Sequence, residues 1–266
     1  MDAGPDRNQP KLDRLRVVLV RTRNPLNIGA AARAMSNFGA PHLRVVQPYD
    51  VAFREAKSAV GAAPLLANAQ EFATVAEAVA DCSLVIGTTA GARRDLPLDL
   101  HRLECGAPTI RRELSTQRVA LLFGSEKVGL SNEDFSHCHW LMRIPTREGH
   151  GSMNLGQAVA ICLYELVRES VPLSPETNQE TADRSSTPQE SSANASDFER
   201  FTQLLFSVLD ASGYVQPRVA RATEEKLRRM VRRLNLSESD AELWLGMLRQ
   251  IQWKLDSNAK PEHPVR

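Results

Sequence analysis

Five short apolar runs recur along the first 150 residues, and each is followed by polar residues, glycine or proline. They cover residues 15–20, 43–46, 83–87, 119–123 and 140–144. Their apolar residues are continuous rather than alternating, which is typical of strands buried on both faces of a parallel sheet. The pattern predicts an α/β fold with a sheet of about six strands.

Helical periodicity fills the spaces between these runs. Residues 155–167 repeat apolar side chains at i, i+3, i+4 and i+7, which predicts one broad apolar helix face, and Asn154 is well placed as the N-cap. Residues 28–38 form an alanine-rich helix that Gly39 should end. Shorter helices are expected over 73–80 and near 53–60.

The composition changes sharply after residue 170. Residues 171–197 are rich in Ser, Thr, Glu, Gln and Pro and contain no aromatic residue until Phe198, so we expect a disordered linker there. Residues 198–266 carry three helical apolar stripes and predict a small all-helical C-terminal module. The predicted organisation is therefore a loose tail over 1–11, a main domain over 12–170, the linker, and this module.

The helical module contains a strongly basic segment. Between Arg218 and Arg233 there are seven basic and two acidic residues. Two interpretations stay open: a solvated helix face, or a surface that binds the phosphates of a nucleic acid.

Overall composition adds few constraints. The net charge of +1 neither favours nor excludes a nucleic-acid partner. The polar N-terminus lacks a signal-peptide pattern, no run is long enough to span a membrane, and the four cysteines are scattered, so we expect a cytoplasmic protein. His137, Cys138 and His139 hint at a metal site, but further ligands at suitable spacing are missing, and side chains on a loop entering a strand are favoured.

Three separated motifs carry the candidate chemistry. The first runs from Asn24 to Met35, the second is Leu122-Phe123-Gly124-Ser125-Glu126 with Gly129-Leu130, and the third is Ile144-Pro145 followed by Gly151-Ser152-Met153-Asn154-Leu155. The second and third begin where predicted strands end. Ligands of open α/β sheets bind at the carboxyl ends of strands, and glycines there let a ligand approach the backbone.

Together these motifs resemble those of the SPOUT superfamily, in its SpoU branch of RNA 2′-O-ribose methyltransferases, and most closely the TrmJ-like subgroup. The resemblance covers about residues 12–170. It implies a SPOUT fold with helices on both faces of the sheet and a C-terminal trefoil knot. It also implies S-adenosylmethionine as methyl donor, tRNA as substrate with position 32 of the anticodon loop as target, and a homodimer formed through the knot region.

The resemblance also implies which residues form the site. The donor pocket would comprise Thr88, Thr89, Ala90, Gly124, Ile144, Gly151, Ser152 and Met153. The reacting end would comprise Arg33, Asn27, Glu126, Ser152 and Asn154. The small residues of these loops are also compatible with plain turns, and Asn154 with a helix cap alone.

Arg33 is the expected catalytic arginine, either as general base or as a cation that grips phosphate and stabilises the developing alkoxide. The second role is favoured because the pKa of arginine lies above about 12. Glu126 would secure the active-site loops or pair with an arginine. The alternatives to a tRNA methyltransferase are an rRNA 2′-O-methyltransferase and a non-catalytic RNA-binding protein of the same fold. A nucleotide-dependent dehydrogenase is disfavoured because no GxGxxG follows the first strand.

Overall fold

A seven-stranded parallel sheet forms the centre of the main domain, with strand order β3-β2-β1-β6-β4-β7-β5. The computed structural model describes residues 12–48, 54, 56, 58–90, 98–147, 152–168 and 191–259. The strands are β1 (Leu15–Val20), β2 (Leu43–Val46), β3 (Gln70–Phe72), β4 (Leu84–Thr88), β5 (Leu100–Arg102), β6 (Val119–Phe123) and β7 (Trp140–Arg143).

The α/β class is confirmed, and all five predicted strands are present within one residue of their expected bounds. The expected count of about six strands is too low, because β3 and β5 were not predicted. These two are the edge strands of the sheet, and each has only three residues. Their sequences, QEF and LHR, are mostly polar and partly exposed, as is common at sheet edges, so a search for apolar runs does not detect them.

Nine helices lie within the described residues, and none of them is both long and apolar enough to cross a membrane. They are α1 (Pro25–Asn37), α2 (Ala63–Ala67), α3 (Val75–Val79), α4 (Leu103–Leu114), α5 (Asn132–Ser136), α6 (Leu155–Val167), α7 (Ala195–Ala211), α8 (Ala220–Arg233) and α9 (Glu238–Ala259). Of the helix expected near 53–60, residues 54, 56 and 58–60 are described, and none of them lies in an α-helix.

Both faces of the sheet are covered by helices. Alternate residues of the central strands point to opposite faces, so Leu19 and Leu121 join one core with α1, α4 and α6. Val18 and Leu122 join the other core with α3 and α5. Burial on both faces explains why these strands carry apolar residues at successive positions, with Arg16 of β1 as a buried exception.

Helices α1 and α6 pack unusually closely. A Cβ atom on Gly156 would lie 2.7 Å from the Cβ of Ala30, so glycine at this position allows the two helices to approach. This contact brings the N-terminal part of α1, within the first motif, next to the start of α6, which follows the third motif.

The first C-terminal helix begins earlier than predicted. The linker was expected to extend to residue 197, but α7 starts at Ala195. Asn194 forms a capping box with Asp197, and the backbone amide of Ala195 donates to the carbonyl of Cys82 in the main domain. The last seven residues of the expected linker are therefore structured. Residues 1–11, 169–190 and 260–266 lie outside the described residues.

Two of the seven basic residues in the predicted basic segment have structural roles. Arg228 is buried and donates to Glu199 on α7 at 2.9 and 3.0 Å, to Glu224, and to the hydroxyl of Ser136 on α5. Arg232 is also buried and lies over the ring of Phe198. These two arginines fasten α8 to its neighbours and are not part of a phosphate-binding surface.

Two histidines beside this cluster should make stability depend on pH. Burial and the nearby Arg228 and Arg232 lower the pKa of His137 from 6.5 to about 3. Burial and Arg232 lower the pKa of His139 equally, to about 3. Both side chains stay neutral in the folded protein but gain protons in the unfolded chain below pH 6.5.

The contribution of the two neutral histidines to the free energy of unfolding is thus complete above pH 6.5 and is lost as the pH falls towards 3. Between pH 7.5 and pH 5, the free energy of unfolding measured with urea should fall by about 2 kcal/mol per histidine. His139→Asn keeps an acceptor for the backbone amide of Val85, which donates to the histidine Nδ1, and should remove about half of this loss. Unchanged stability between the two pH values would contradict the assignment.

Candidate active site

The candidate site lies along the carboxyl-terminal edge of the sheet. Strands β1, β6, β4 and β7 are neighbours in that order and all run parallel, so the loops that follow them emerge side by side. The first, second and third motifs supply three of these loops. The fourth is the segment after β4, which contains Thr89 and Ala90.

A chain of side-chain hydrogen bonds joins all three motifs. The amide nitrogen of Asn27 donates to Glu126 Oε1 at 2.7 Å. The amide nitrogen of Asn154 donates to Asn27 Oδ1 at 3.0 Å. Residues about 100 and 127 positions apart in sequence thus form one continuous network.

Glu126 is the acceptor at the end of this network. Its carboxylate also accepts from the backbone amides of Arg23, at 3.2 Å, and Asn24, at 3.4 Å. Partial burial alone would raise the pKa of Glu126, but the hydrogen bonds from Asn27 and from backbone amides outweigh it and lower the pKa. The side chain is therefore a firmly ionised anchor that holds the loop after β1, which was one of the two roles expected for it.

Asn154 combines the two roles that the sequence left open. Its Oδ1 accepts from the backbone amides of Gly156 and Gln157 and so caps α6. Its amide nitrogen is then free to donate to Asn27. The capping bonds orient the side chain of Asn154, so its amide nitrogen points at Asn27 in the first motif.

An ion pair between Arg21 and Asp134 was not predicted from the sequence. Arg21 follows β1 with a positive φ of 51° and pairs with the buried carboxylate of Asp134. Asp134 also closes a capping box with Ser131 at the start of α5. The spacing of Ser131 and Asp134 is the usual sequence pattern of such a box and could have revealed it.

Gly124 permits the tight turn of the second motif. The loop returns on itself through a bridge between Ser125 and Gly129, whose amide donates to the carbonyl of Ser125 at 2.8 Å. A Cβ on Gly124 would overlap the backbone of Gly129 and Leu130. Only glycine fits here, so the packing of the loop requires glycine at this position whether or not a ligand binds.

Gly124→Ala should therefore distort the second motif. We expect the free energy of unfolding to fall by about 2 kcal/mol, because backbone atoms cannot move aside as a flexible side chain would. Gly246→Ala is the matched control: a Cβ there meets open space within a helix, so stability should rise by about 0.5–1 kcal/mol. Urea unfolding of both variants provides the measurement, and equal stability of Gly124→Ala and the parent would contradict the packing.

The remaining donor-pocket residues are placed along the same edge. Thr88 donates its hydroxyl to the carbonyl of Leu122, and the amide of Thr89 donates to the carbonyl of Met142, which fixes the loop after β4 between its two neighbours. Ala90 and Ser152 are exposed, and Ile144 and Met153 are half-buried. Gly151 lies outside the described residues.

Arg33 is not joined to this network by any hydrogen bond or ion pair described for the structure. It is exposed on α1, and the helical rise places it about 9 Å farther along the helix axis than Asn27. It lies about one helical turn beyond Ala30, the residue that contacts Gly156 of α6. The structure thus brings Asn27, Glu126 and Asn154 together and leaves Arg33 outside their contacts.

The residues with metal-binding side chains do not form a metal site in the described part of the chain, where no group of three or more His, Cys, Asp or Glu is suitably arranged. His139 accepts the backbone amide of Val85 through Nδ1. His137 lies near Glu199, with Nδ1 and Oε2 3.7 Å apart.

Comparison with known proteins identifies the family of the chain. Residues 14–164 match the model of the SpoU rRNA Methylase family. The chain is 36% identical over 258 residues to the tRNA (cytidine/uridine-2′-O-)-methyltransferase TrmJ of Sodalis glossinidius, and 96% of each chain is covered. It is 35% identical to the tRNA (cytidine/uridine/adenosine-2′-O-)-methyltransferase TrmJ of Pseudomonas aeruginosa, covering 91% of this chain and 95% of the relative.

Solved structures show the same fold. The crystal structure of TrmJ from Z. mobilis ZM4 superposes with a TM-score of 0.77 at 29% identity, covering 89% of this chain and 98% of that one. The family match includes all three motifs and spans more than half of the sequence. The chain therefore belongs to the SpoU rRNA methylase family and is an RNA ribose 2′-O-methyltransferase.

Proposed function

We propose that this protein transfers a methyl group from S-adenosylmethionine to the ribose 2′-hydroxyl of tRNA, at position 32 of the anticodon loop. The observation that carries the proposal is the hydrogen-bonded chain from Glu126 through Asn27 to Asn154, which unites the three motifs. The names of the TrmJ relatives support tRNA rather than rRNA as substrate. A tRNA substrate also fits the cytoplasmic location expected from the sequence.

The loops at the sheet edge suit the donor. Thr88 and Thr89 are held by neighbouring strands, so the backbone of the β4 loop is fixed before any ligand arrives. Ile144 and Met153 are half-buried and offer apolar surface, whereas Ala90 and Ser152 are exposed. Together with Gly124 and Gly151, these residues would hold the donor through backbone groups at one end and apolar side chains at the other.

The protein's contribution to the reaction is mainly positioning. S-adenosylmethionine supplies a methyl group that its sulfonium already activates. The carboxylate oxygens of Glu126 accept hydrogen bonds from Asn27 and from backbone amides of the loop after β1, so its proposed role is to hold that side chain and that loop in place. Ser152 is exposed near the start of α6 and would contact the substrate phosphate or the donor.

Arg33 would meet the RNA from its exposed position on α1. Its guanidinium is suited to bind the phosphate beside the target nucleotide and to stabilise charge that develops on the 2′-oxygen. Because the residue lies outside the network within one chain, we propose that it serves a site completed by a second copy. Helix α6 exposes Ile161 and Tyr164, which supports a homodimer formed along this side.

A trefoil knot is the proposed path of the chain into α6. Helix α6 follows β7 but packs against α1, which belongs to β1 on the other side of β4 and β6. The end of β7 and the part of α6 that packs on α1 are therefore separated by β4 and β6. A connection that threads through the second-motif loop would place the methyl donor inside the knot.

The C-terminal helices are proposed to help bind tRNA. Lys226 and Arg233 are exposed and seven residues apart on α8, so they share a face. Buried Arg228 and Arg232 occupy the opposite side of the helix. The helical unit would thus be fixed to the main domain on one side and present positive charge to the phosphates on the other.

The proposal is tested by labelled methyl transfer to an unmodified tRNA transcript. The matched control is the same transcript with a 2′-deoxyribose at position 32, which lacks only the acceptor oxygen. The proposal predicts labelling of the first RNA and none of the second. Equal labelling of both would place the target elsewhere, and labelling of rRNA but not tRNA would favour the rRNA methyltransferase alternative.

A further inference from the structure

Helix α9 carries an apolar stripe on its exposed side. Leu243, Met247 and Ile251 are 63%, 42% and 48% exposed, and their spacing of four residues aligns them along one line of the helix. The buried residues Ala241 and Leu245 lie on a different side and pack in the core of the C-terminal helices. The stripe is therefore additional to the surface that folds the helical unit.

Charged residues mark both ends of this stripe. Asp240 lies three residues before Leu243, and Lys254 lies three residues after Ile251; both are exposed. At about 100° per residue, both side chains project from the same sector of the helix as the stripe. The stripe thus has a carboxylate at its N-terminal end and an ammonium at its C-terminal end.

The arrangement is symmetric about Met247. Leu243 and Ile251 are each four residues away from it, and Asp240 and Lys254 are each seven residues away. We propose that this stripe binds α9 of a second copy of the chain, antiparallel, with a two-fold axis at Met247. Leu243 would then meet Ile251 of the second copy, and Asp240 would meet Lys254 of the second copy, each contact occurring twice.

The charges favour this occupant over others. An antiparallel copy pairs opposite charges at both ends, whereas a parallel copy would place like charges together. Antiparallel helix dipoles also attract. A nucleic-acid phosphate is disfavoured, because Glu238, Asp240 and Glu242 make the first turns of α9 acidic.

This inference goes beyond the proposed function and does not depend on it. The surface on α9 includes none of the residues of the proposed methyl-transfer site and none of the exposed residues of α6. Failure of the tRNA assay would leave it standing, and its own failure would leave the tRNA assay unaffected.

A symmetric disulfide tests the two-fold axis directly. In the full chain, Cys105 is the exposed cysteine to replace with serine, since Cys82, Cys138 and Cys162 are buried. Met247→Cys in this background should form a covalent dimer rapidly at low protein concentration under copper–phenanthroline. Trp253→Cys is the matched control: its position is 61% exposed, more than the 42% of Met247, but it projects about 120° away from Met247 around the axis of α9.

The proposal predicts faster crosslinking of Met247→Cys, whereas random collision predicts faster crosslinking at the more exposed position 253. Equal or faster dimer formation by Trp253→Cys would overturn it. Adding Asp240→Lys to Met247→Cys should slow crosslinking several-fold, because it opposes two lysines across each end of the contact. Adding Lys254→Asp as well should restore the rate, and a rate that stays low would also overturn the proposal.

Discussion

Glu126→Ala should lower kcat for methyl transfer by about a hundredfold. The substitution removes the acceptor for Asn27 and for the backbone amides of Arg23 and Asn24. The loop after β1 then loses its attachment to the second motif, and small displacements of reacting groups are costly when catalysis depends on positioning. Single-turnover methylation of a tRNA transcript at saturating donor provides the measurement.

Two variants separate this role from a general loss of negative charge. Glu126→Gln keeps one acceptor oxygen and should retain an intermediate activity. Glu133→Ala removes an exposed carboxylate that pairs only with the exposed Arg221 in the salt bridges described, and should leave kcat unchanged. A wild-type kcat for Glu126→Ala would show that the hydrogen bonds of Glu126 are not needed for methyl transfer.

Arg33→Ala should have a still larger effect, with kcat reduced by about a thousandfold. The guanidinium is proposed to bind the substrate phosphate and to stabilise charge on the 2′-oxygen, and neither contact survives truncation. Arg33→Lys keeps the charge but loses the planar pair of donors, so it should also be strongly impaired. Arg112→Ala is the control, because Arg112 is an equally charged, largely exposed side chain on α4.

Mixing two inactive variants tests whether Arg33 serves a site completed by a second copy. Arg33→Ala and Glu126→Ala each damage a different half of such a shared site. If the chains exchange freely, about a quarter of the wild-type activity should return, since half of the dimers contain one intact site out of two. Absence of any recovery under conditions of proven exchange would confine Arg33 to its own chain.

The sequence predicted the parts of the fold that bury continuous apolar surface. The central strands are buried along their whole length and α6 buries one apolar face, so the order of apolar residues in the sequence predicts both. The edge strands β3 and β5 were missed because backbone pairing with one neighbour, rather than side-chain burial, defines them. The start of α7 was placed too late because Asn194 and Ser196 are polar and resemble the preceding linker in composition.

The candidate site was predicted residue by residue but not in its connections. The motifs named Asn27, Glu126 and Asn154, yet no pattern in the sequence shows that they bond to one another over such separations. In the basic segment, composition grouped residues that have different roles in the structure. Composition alone cannot distinguish Arg228, which is buried between carboxylates, from Arg233, which is exposed five residues farther along the same helix.

A double-mutant cycle between Asn27 and Asn154 tests most directly whether the three motifs act as one unit. Asn27→Ala breaks both side-chain bonds of the network, and Asn154→Ser keeps a cap for α6 while removing the amide donor. If the network acts as one unit, the double variant should transfer methyl groups within about twofold of the slower single variant. Losses that multiply in the double variant would show that the two asparagines act independently, and would contradict a shared hydrogen-bonded site.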